Sequence, residues 1–236
     1  MYKMVKLEES ASHYTIILHR PDKLNALTPQ LIKELHQTLS HLMISPWKLI
    51  LLKGSGTSFS TGHDVSTNIS FDSLDDAQNQ LKTLQEITKM ITNYPVPVIS
   101  AIHGYALGAG FEIALNCDLI YAANDATFGF PELEVGLSIT QGTSYFLPRI
   151  IGLPKAKELI FFSKNFTANT AQEMGLINKT FTNESLFSEV INIIETLNNK
   201  SIHALKEVKS LFNKGIDTSL EKCLQTETKT LIKLLS

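Results

Sequence analysis

Charge is sparse in this chain of 236 residues: 19% are charged and the formal net charge is −2. Arginine is rarer still, with Arg20 and Arg149 the two arginines among 21 basic residues. No basic stripe forms, so nucleic acid is not an expected partner. Cys117 and Cys223 are the two cysteines; they lack metal-ligand spacing and read as reduced thiols of an intracellular protein. The histidines show no metal spacing either, and no metal site is expected. No apolar run reaches the roughly 20 residues that span a bilayer. The start, Met-Tyr-Lys-Met-Val-Lys-Leu-Glu-Glu, has neither a signal core nor an arginine-rich transit pattern. The expectation is a cytoplasmic protein without a membrane partner. Neither Gly54-Ser-Gly56 nor Gly108-Ala-Gly110 completes a phosphate loop or dinucleotide fingerprint, so no nucleotide cofactor is expected.

What is present is apolar material, 43% of residues, enough to bury a sizeable core. At roughly 150 residues per domain the chain makes one large domain or two small ones. Tyr14–His19 reads as a strand. A helix follows, capped by Thr28 with Pro29 at its first position and Leu31, Leu35, Leu39 and Leu42 on one face. Lys48–Leu52 is a second strand. Ser73–Ile91 is helical, with Leu74, Ala77, Leu81, Leu84, Ile87 and Ile91 as its stripe. Pro95 and Pro97 force extended backbone into a strand at Val98–Ile102. A short helix, about Gly108–Leu115, leads to a strand at Leu119–Ala122. This alternation predicts an α/β fold. Helices then dominate: Lys155–Phe162, Thr170–Met174 with an Asn169/Thr170 cap, Leu186–Leu197, Ile202–Phe212 and about Ser219–Leu235. The expected division is a core over 1–195 and a helical region over 196–236.

The most informative stretch runs from Gly104-Tyr-Ala-Leu-Gly-Ala-Gly-Phe-Glu112 to Phe128-Gly-Phe-Pro-Glu132. Glu112 has apolar neighbours on nearly every side. A buried carboxylate is costly unless it is paired or neutralised. It is an acid/base group, a structural ion pair with Arg149 as a candidate partner, or a side chain that escapes to solvent. Glu132 has a competitor in Glu134, because strand alternation points both the same way. The 20 residues from 112 to 132 cover a helix, a strand and a turn, and can bring both carboxyls to opposite walls of one cleft. The Gly108-Ala-Gly110 turn lets a ligand approach amides that carry partial positive charge at a helix start; tight helix packing explains it equally. Phe59-Ser-Thr-Gly-His-Asp64 supplies another exposed turn. There the His63 amide, rather than its imidazole, is the useful group. Asp118 reads as a cap or structural acceptor.

Together these motifs resemble the enoyl-CoA hydratase/isomerase (crotonase) superfamily, from Arg20-Pro-Asp-Lys-Leu-Asn-Ala-Leu27 to about Leu235. The other matches are Phe59–Val65, His103–Glu112, Cys117-Asp118, Phe128–Glu132, Leu147-Pro-Arg-Ile-Ile-Gly152 and Ala171-Gln-Glu-Met-Gly-Leu-Ile177. The resemblance implies a spiral of strand–strand–helix units with a helical C-terminal region serving oligomerisation, in trimers or dimers of trimers. It implies acyl-CoA thioesters as ligands, with coenzyme A part of the substrate and no separate cofactor. The amides of His63 and Ala109 would form the oxyanion hole. Glu112 and Glu132 would be catalytic, and Lys23, His63, Asp64, Val65, Ser66, Ala109 and Thr140 would line the substrate.

Both positions of the hydratase pattern hold glutamate, which implies a 2-enoyl-CoA hydratase with Glu112 as base toward water and Glu132 as proton donor. One alternative is a 3-enoyl-CoA isomerase that uses Glu132 alone. Another is a non-catalytic acyl-CoA- or RNA-binding relative. Two departures stand out. The hydratase pattern continues Gly-x-x-Pro-Gly-x-Gly-Gly, where this chain has Gly136-Leu-Ser-Ile-Thr-Gln-Gly-Thr143. The chain also ends at Ser236, short of many relatives, which implies a more open site.

Overall fold

The computed structural model describes residues 4–64 and 74–235. Strands β1 (Val5–Glu9) and β2 (His13–Leu18) form an antiparallel hairpin. Helix α1 (Pro29–Met43) starts as its cap dictates: the Thr28 side chain accepts from the Leu31 amide at 3.2 Å and Pro29 occupies the first turn. Strand β3 (Leu49–Gly54) follows, then α2 (Leu74–Asn93). The apolar stripe expected along α2 is buried at Leu84, Ile87 and Ile91, whereas Leu74 is exposed. Strands β4 (Val98–Ile102) and β5 (Tyr105–Leu107) lead into α3 (Ala109–Leu115), and β6 (Leu119–Ala123) and β7 (Thr127–Gly129) repeat that strand pair.

Each pair divides between two sheets. The larger has the order β1-β2-β3-β4-β6-β9, with β9 at Lys179–Phe181, and is parallel beyond the first hairpin. The smaller has the order β5-β7-β8, with β8 at Phe166–Thr167. This is the expected spiral. Central strands β2 and β4 are buried along their whole length, as strands covered on both faces require. An aromatic cluster of Phe111, Phe128, Phe130 and Phe166 fixes α3 against the small sheet.

Helices α4 (Thr143–Ile151), α5 (Leu153–Phe162) and α6 (Ala168–Glu173) precede β9. Helix α6 starts earlier than its sequence suggests, because the Thr167 side chain, not Asn169 or Thr170, accepts from the Thr170 amide. Helices α7 (Leu186–Asn198), α8 (Ile202–Gly215) and α9 (Leu220–Leu235) end the chain. Helix α7 packs on β4, β6 and β9. Asp118 is the structural acceptor expected of it, taking the Val98 amide at 2.7 Å and the buried Lys209 ammonium at 2.6 Å. No helix among the described residues is long and apolar enough to cross a membrane.

Candidate active site

Two glycine turns bring separate chain segments together. Gly62 has φ +82, and a Cβ there would stand 2.7 Å from the Leu107 carbonyl and 3.2 Å from the Ala109 amide nitrogen. A side chain would therefore force the turn before His63 away from the start of α3. The Phe59–Asp64 segment was expected as an exposed turn. It is instead largely buried, with Phe59 and Ser60 fully covered, because it lies between the 20–27 loop and β5. Its isolated bridges to Leu27 and Ala106 mark that position.

Those contacts decide where two amides point. Leu27 donates to the Gly62 carbonyl at 2.7 Å and accepts from the Asp64 amide at 3.1 Å. In a parallel bridge that pairing turns the His63 amide to the opposite side. Ala109 is the first residue of α3, so its amide has no partner within the helix. Neither amide donates to any other described residue. Both residues line a cavity of about 500 Å³, together with Lys23, Asp64, Gly108 and Glu132. Burial lowers the His63 imidazole pKa, which favours the neutral ring.

Glu132 sits in a 3-10 turn, Pro131–Val135, rather than on a strand. The expected alternation with Glu134 therefore fails: Glu132 is buried and Glu134 exposed. Neither oxygen of Glu132 has a hydrogen-bond partner among the described residues. Burial pushes its carboxyl up to about 7, the negative charge of Glu112 adding to the rise. Glu112 is 1% exposed. Its Oε2 accepts from the Thr140 and Gln141 amides, each at 3.0 Å, and from the Thr143 hydroxyl at 2.7 Å. Burial raises its pKa against the opposing pull of those three donors.

Glu112 makes no ion pair with Arg149, which stacks on Tyr145 and pairs with Asp217 at 3.2 Å. Glu132 lines the cavity wall, and Glu112 lies near enough for its charge to raise the Glu132 carboxyl. Asp64 lines the cavity while Arg20 holds its carboxylate at 2.6 Å. Thr140, expected along the substrate, is not on the wall; its amide serves Glu112 instead. Val65 and Ser66 lie outside the described residues. Among those described, no cluster of three or more His, Cys, Asp or Glu side chains could hold a metal. Sequence reasoning missed Gln141, whose side chain donates to the Ala109 carbonyl at 3.0 Å, and Thr143. The departure of the 136–143 loop from the hydratase pattern marked the region but not these contacts.

Residues 8–236 match the profile described as enoyl-CoA hydratase/isomerase. A crotonyl-CoA hydratase of Syntrophomonas wolfei is 30% identical over 228 residues, covering 96% of this chain and 87% of that protein. A peroxisomal Delta(3,5)-Delta(2,4)-dienoyl-CoA isomerase of Arabidopsis thaliana is 29% identical, covering 94% and 84%. The crystal structure of an enoyl-CoA hydratase from Bacillus anthracis superposes with a TM-score of 0.93 at 27% identity, covering 99% of this chain and 91% of that one. By its sequence and its two-sheet spiral, the chain belongs to the enoyl-CoA hydratase/isomerase family.

Proposed function

We propose that this protein adds water across the 2,3 double bond of a 2-enoyl-CoA thioester. The observation that carries the reading is a pair of buried carboxyls, the charge of Glu112 raising Glu132, beside two amides with no partner among the described residues. Charge that develops on the thioester oxygen is stabilised by the His63 and Ala109 amides. Such donors are each worth about 2.7–4 kcal/mol in comparable oxyanion holes.

The carboxyls have different environments, which suits different tasks. All three donors to Glu112 fall on Oε2. No described residue donates to Oε1, which is left to take a proton from water as the oxygen attacks C3. Glu132, raised to about 7, is substantially protonated near neutrality and lines the cavity. It delivers a proton to C2. The product gains OH at C3 and H at C2; Glu112 then releases the proton it took from water and Glu132 takes one up from solvent, which restores both carboxyls. Because the carboxyls are coupled, their titrations belong to the pair. Lys23 and Asp64, on the same cavity wall, contact the substrate.

Loss of the conjugated thioester absorbance of crotonyl-CoA tests this. No loss at high concentrations of folded enzyme rejects it. One observation favours a second reading, proton shuttling by a 3-enoyl-CoA isomerase: Glu132 lines the cavity and Glu112 does not. Glu112→Gln separates the two, abolishing hydration but sparing isomerisation.

A further inference from the structure

The grip on Glu112 comes from a loop whose side chains differ from the hydratase pattern. That pattern ends in glycine where this chain has Thr143, and glycine has no hydroxyl to offer. Thr143 Oγ1 makes the shortest of the three bonds to Glu112 Oε2, 2.7 Å against 3.0 Å for each amide. Thr143 is 2% exposed and opens α4 immediately after Gly142, whose φ is +82. A β-branched side chain at a helix start has few rotamers, so its hydroxyl is held in place.

The loop behind that hydroxyl is anchored independently. The Thr88 hydroxyl donates to the Gln141 carbonyl at 3.2 Å, and Asn116 Nδ2 donates to the same hydroxyl at 3.0 Å. The Gln141 side chain ties the loop to the Ala109 carbonyl at 3.0 Å. Thr140–Thr143 therefore contacts Glu112 and the first turn of α3 at once.

We propose that Thr143 is a positioning residue for Glu112, its hydroxyl holding the Glu112 carboxylate as an anion in one orientation with Oε1 turned to the water. The part of this inference that concerns turnover rests on the hydratase reading; the part that concerns ionisation does not. The titratable group whose charge couples to Glu112 is Glu132. Of the other charged groups on neighbouring elements, Arg149 on α4 is engaged by Asp217. Glu86 on α2 is paired with His36, and Lys89 is exposed.

The sign follows from the chemistry. A donor to the charged form lowers a carboxyl pKa, so removing it raises that pKa. A hydrogen bond to a charged group corresponds to about 1–2 pH units.

The test is carboxyl-carbon NMR on protein labelled in its glutamate side chains, with the Glu112 resonance identified by its loss in Glu112→Gln. In Thr143→Val and Thr143→Ala the Glu112 midpoint is expected to rise by about 1–2 pH units. Thr143→Ser, which keeps the hydroxyl, returns it toward the parent value. The acidic limb of kcat/KM for crotonyl-CoA moves in parallel. Unchanged midpoints in folded Val and Ala variants overturn the inference, as does a serine variant that behaves like valine. A parent enzyme without turnover overturns the hydratase reading instead, and the resting-state titration still decides the role of Thr143.

Discussion

Glu132 rests against Gly108: a Cβ at Gly108 would stand 2.9 Å from Glu132 Oε1. The atom that must yield is the far end of a side chain, so the fold can absorb the change while the carboxylate moves. Gly108→Ala also places a non-glycine residue at φ +49, ψ −132, outside the left-handed helical region, which costs about 1–3 kcal/mol. The expected outcome is a kcat lower by about 10²-fold, the scale of a 1 Å misplacement, with a modest fall in melting temperature. Steady-state kinetics and thermal unfolding on one preparation check both. Undiminished turnover would show that the position of Glu132 does not matter.

The raised Glu132 carboxyl sets the alkaline side of the pH profile. With its pKa pushed up to about 7 by burial, the proton-donating form is lost as pH rises through that region, and kcat/KM falls there. In Glu112→Gln the neighbouring negative charge is gone, so the Glu132 midpoint moves to lower pH. Carboxyl NMR of the variant reads this directly.

The same shift has a consequence for stability. A carboxyl with a folded pKa above its unfolded one contributes stability that is fully present below about pH 4.5. That contribution is lost as pH rises through about 7. Glu132→Gln removes the titration, so it stabilises the protein more at pH 8 than at pH 5, by about 1–3 kcal/mol allowing for wetting by the cavity. Urea unfolding at the two pH values measures the difference. An equal effect at both would contradict the assigned environment.

Lys209 ties α8 to the large sheet. Its ammonium reaches Asp118 at 2.6 Å and the Ile91 and Val96 carbonyls at 3.4 and 3.3 Å. The Asp118 side chain keeps 24% of its exposure, which softens the loss. Asp118→Asn should still cost about 2 kcal/mol by leaving a buried ammonium without its counter-charge. Lys209→Met in the Asp118→Asn background should recover part of that in chemical denaturation.

Much of the architecture is legible in local chemistry. Thr28 and Pro29 announce α1, Pro95 and Pro97 deliver β4, and the small residues at 108–110 start α3 where expected. Strand β1 escapes notice because Val-Lys-Leu-Glu-Glu is mostly polar and owes its place to pairing with β2. Strands β5 and β8, of three and two residues, are too short for periodicity to show. The burial of Glu112 was recognisable from its apolar neighbours, and the small residues of 108–110 marked the helix start whose first amide, that of Ala109, lacks a helical partner. The partners of Glu112 were not recognisable. They lie 28 to 31 residues further along the chain, and only the folded loop brings them to one oxygen. The 3-10 turn that buries Glu132 and exposes Glu134 is likewise hidden in a segment that alternates like a strand.

The paired-carboxyl account is tested most directly by the fate of solvent hydrogen. Crotonyl-CoA incubated with the enzyme in deuterated water should yield the 3-hydroxy thioester with one deuterium at C2, and both Glu112→Gln and Glu132→Gln should suppress its formation by at least about 10²-fold. A product that gains deuterium without a hydroxyl at C3, or hydration that survives either substitution undiminished, would contradict it.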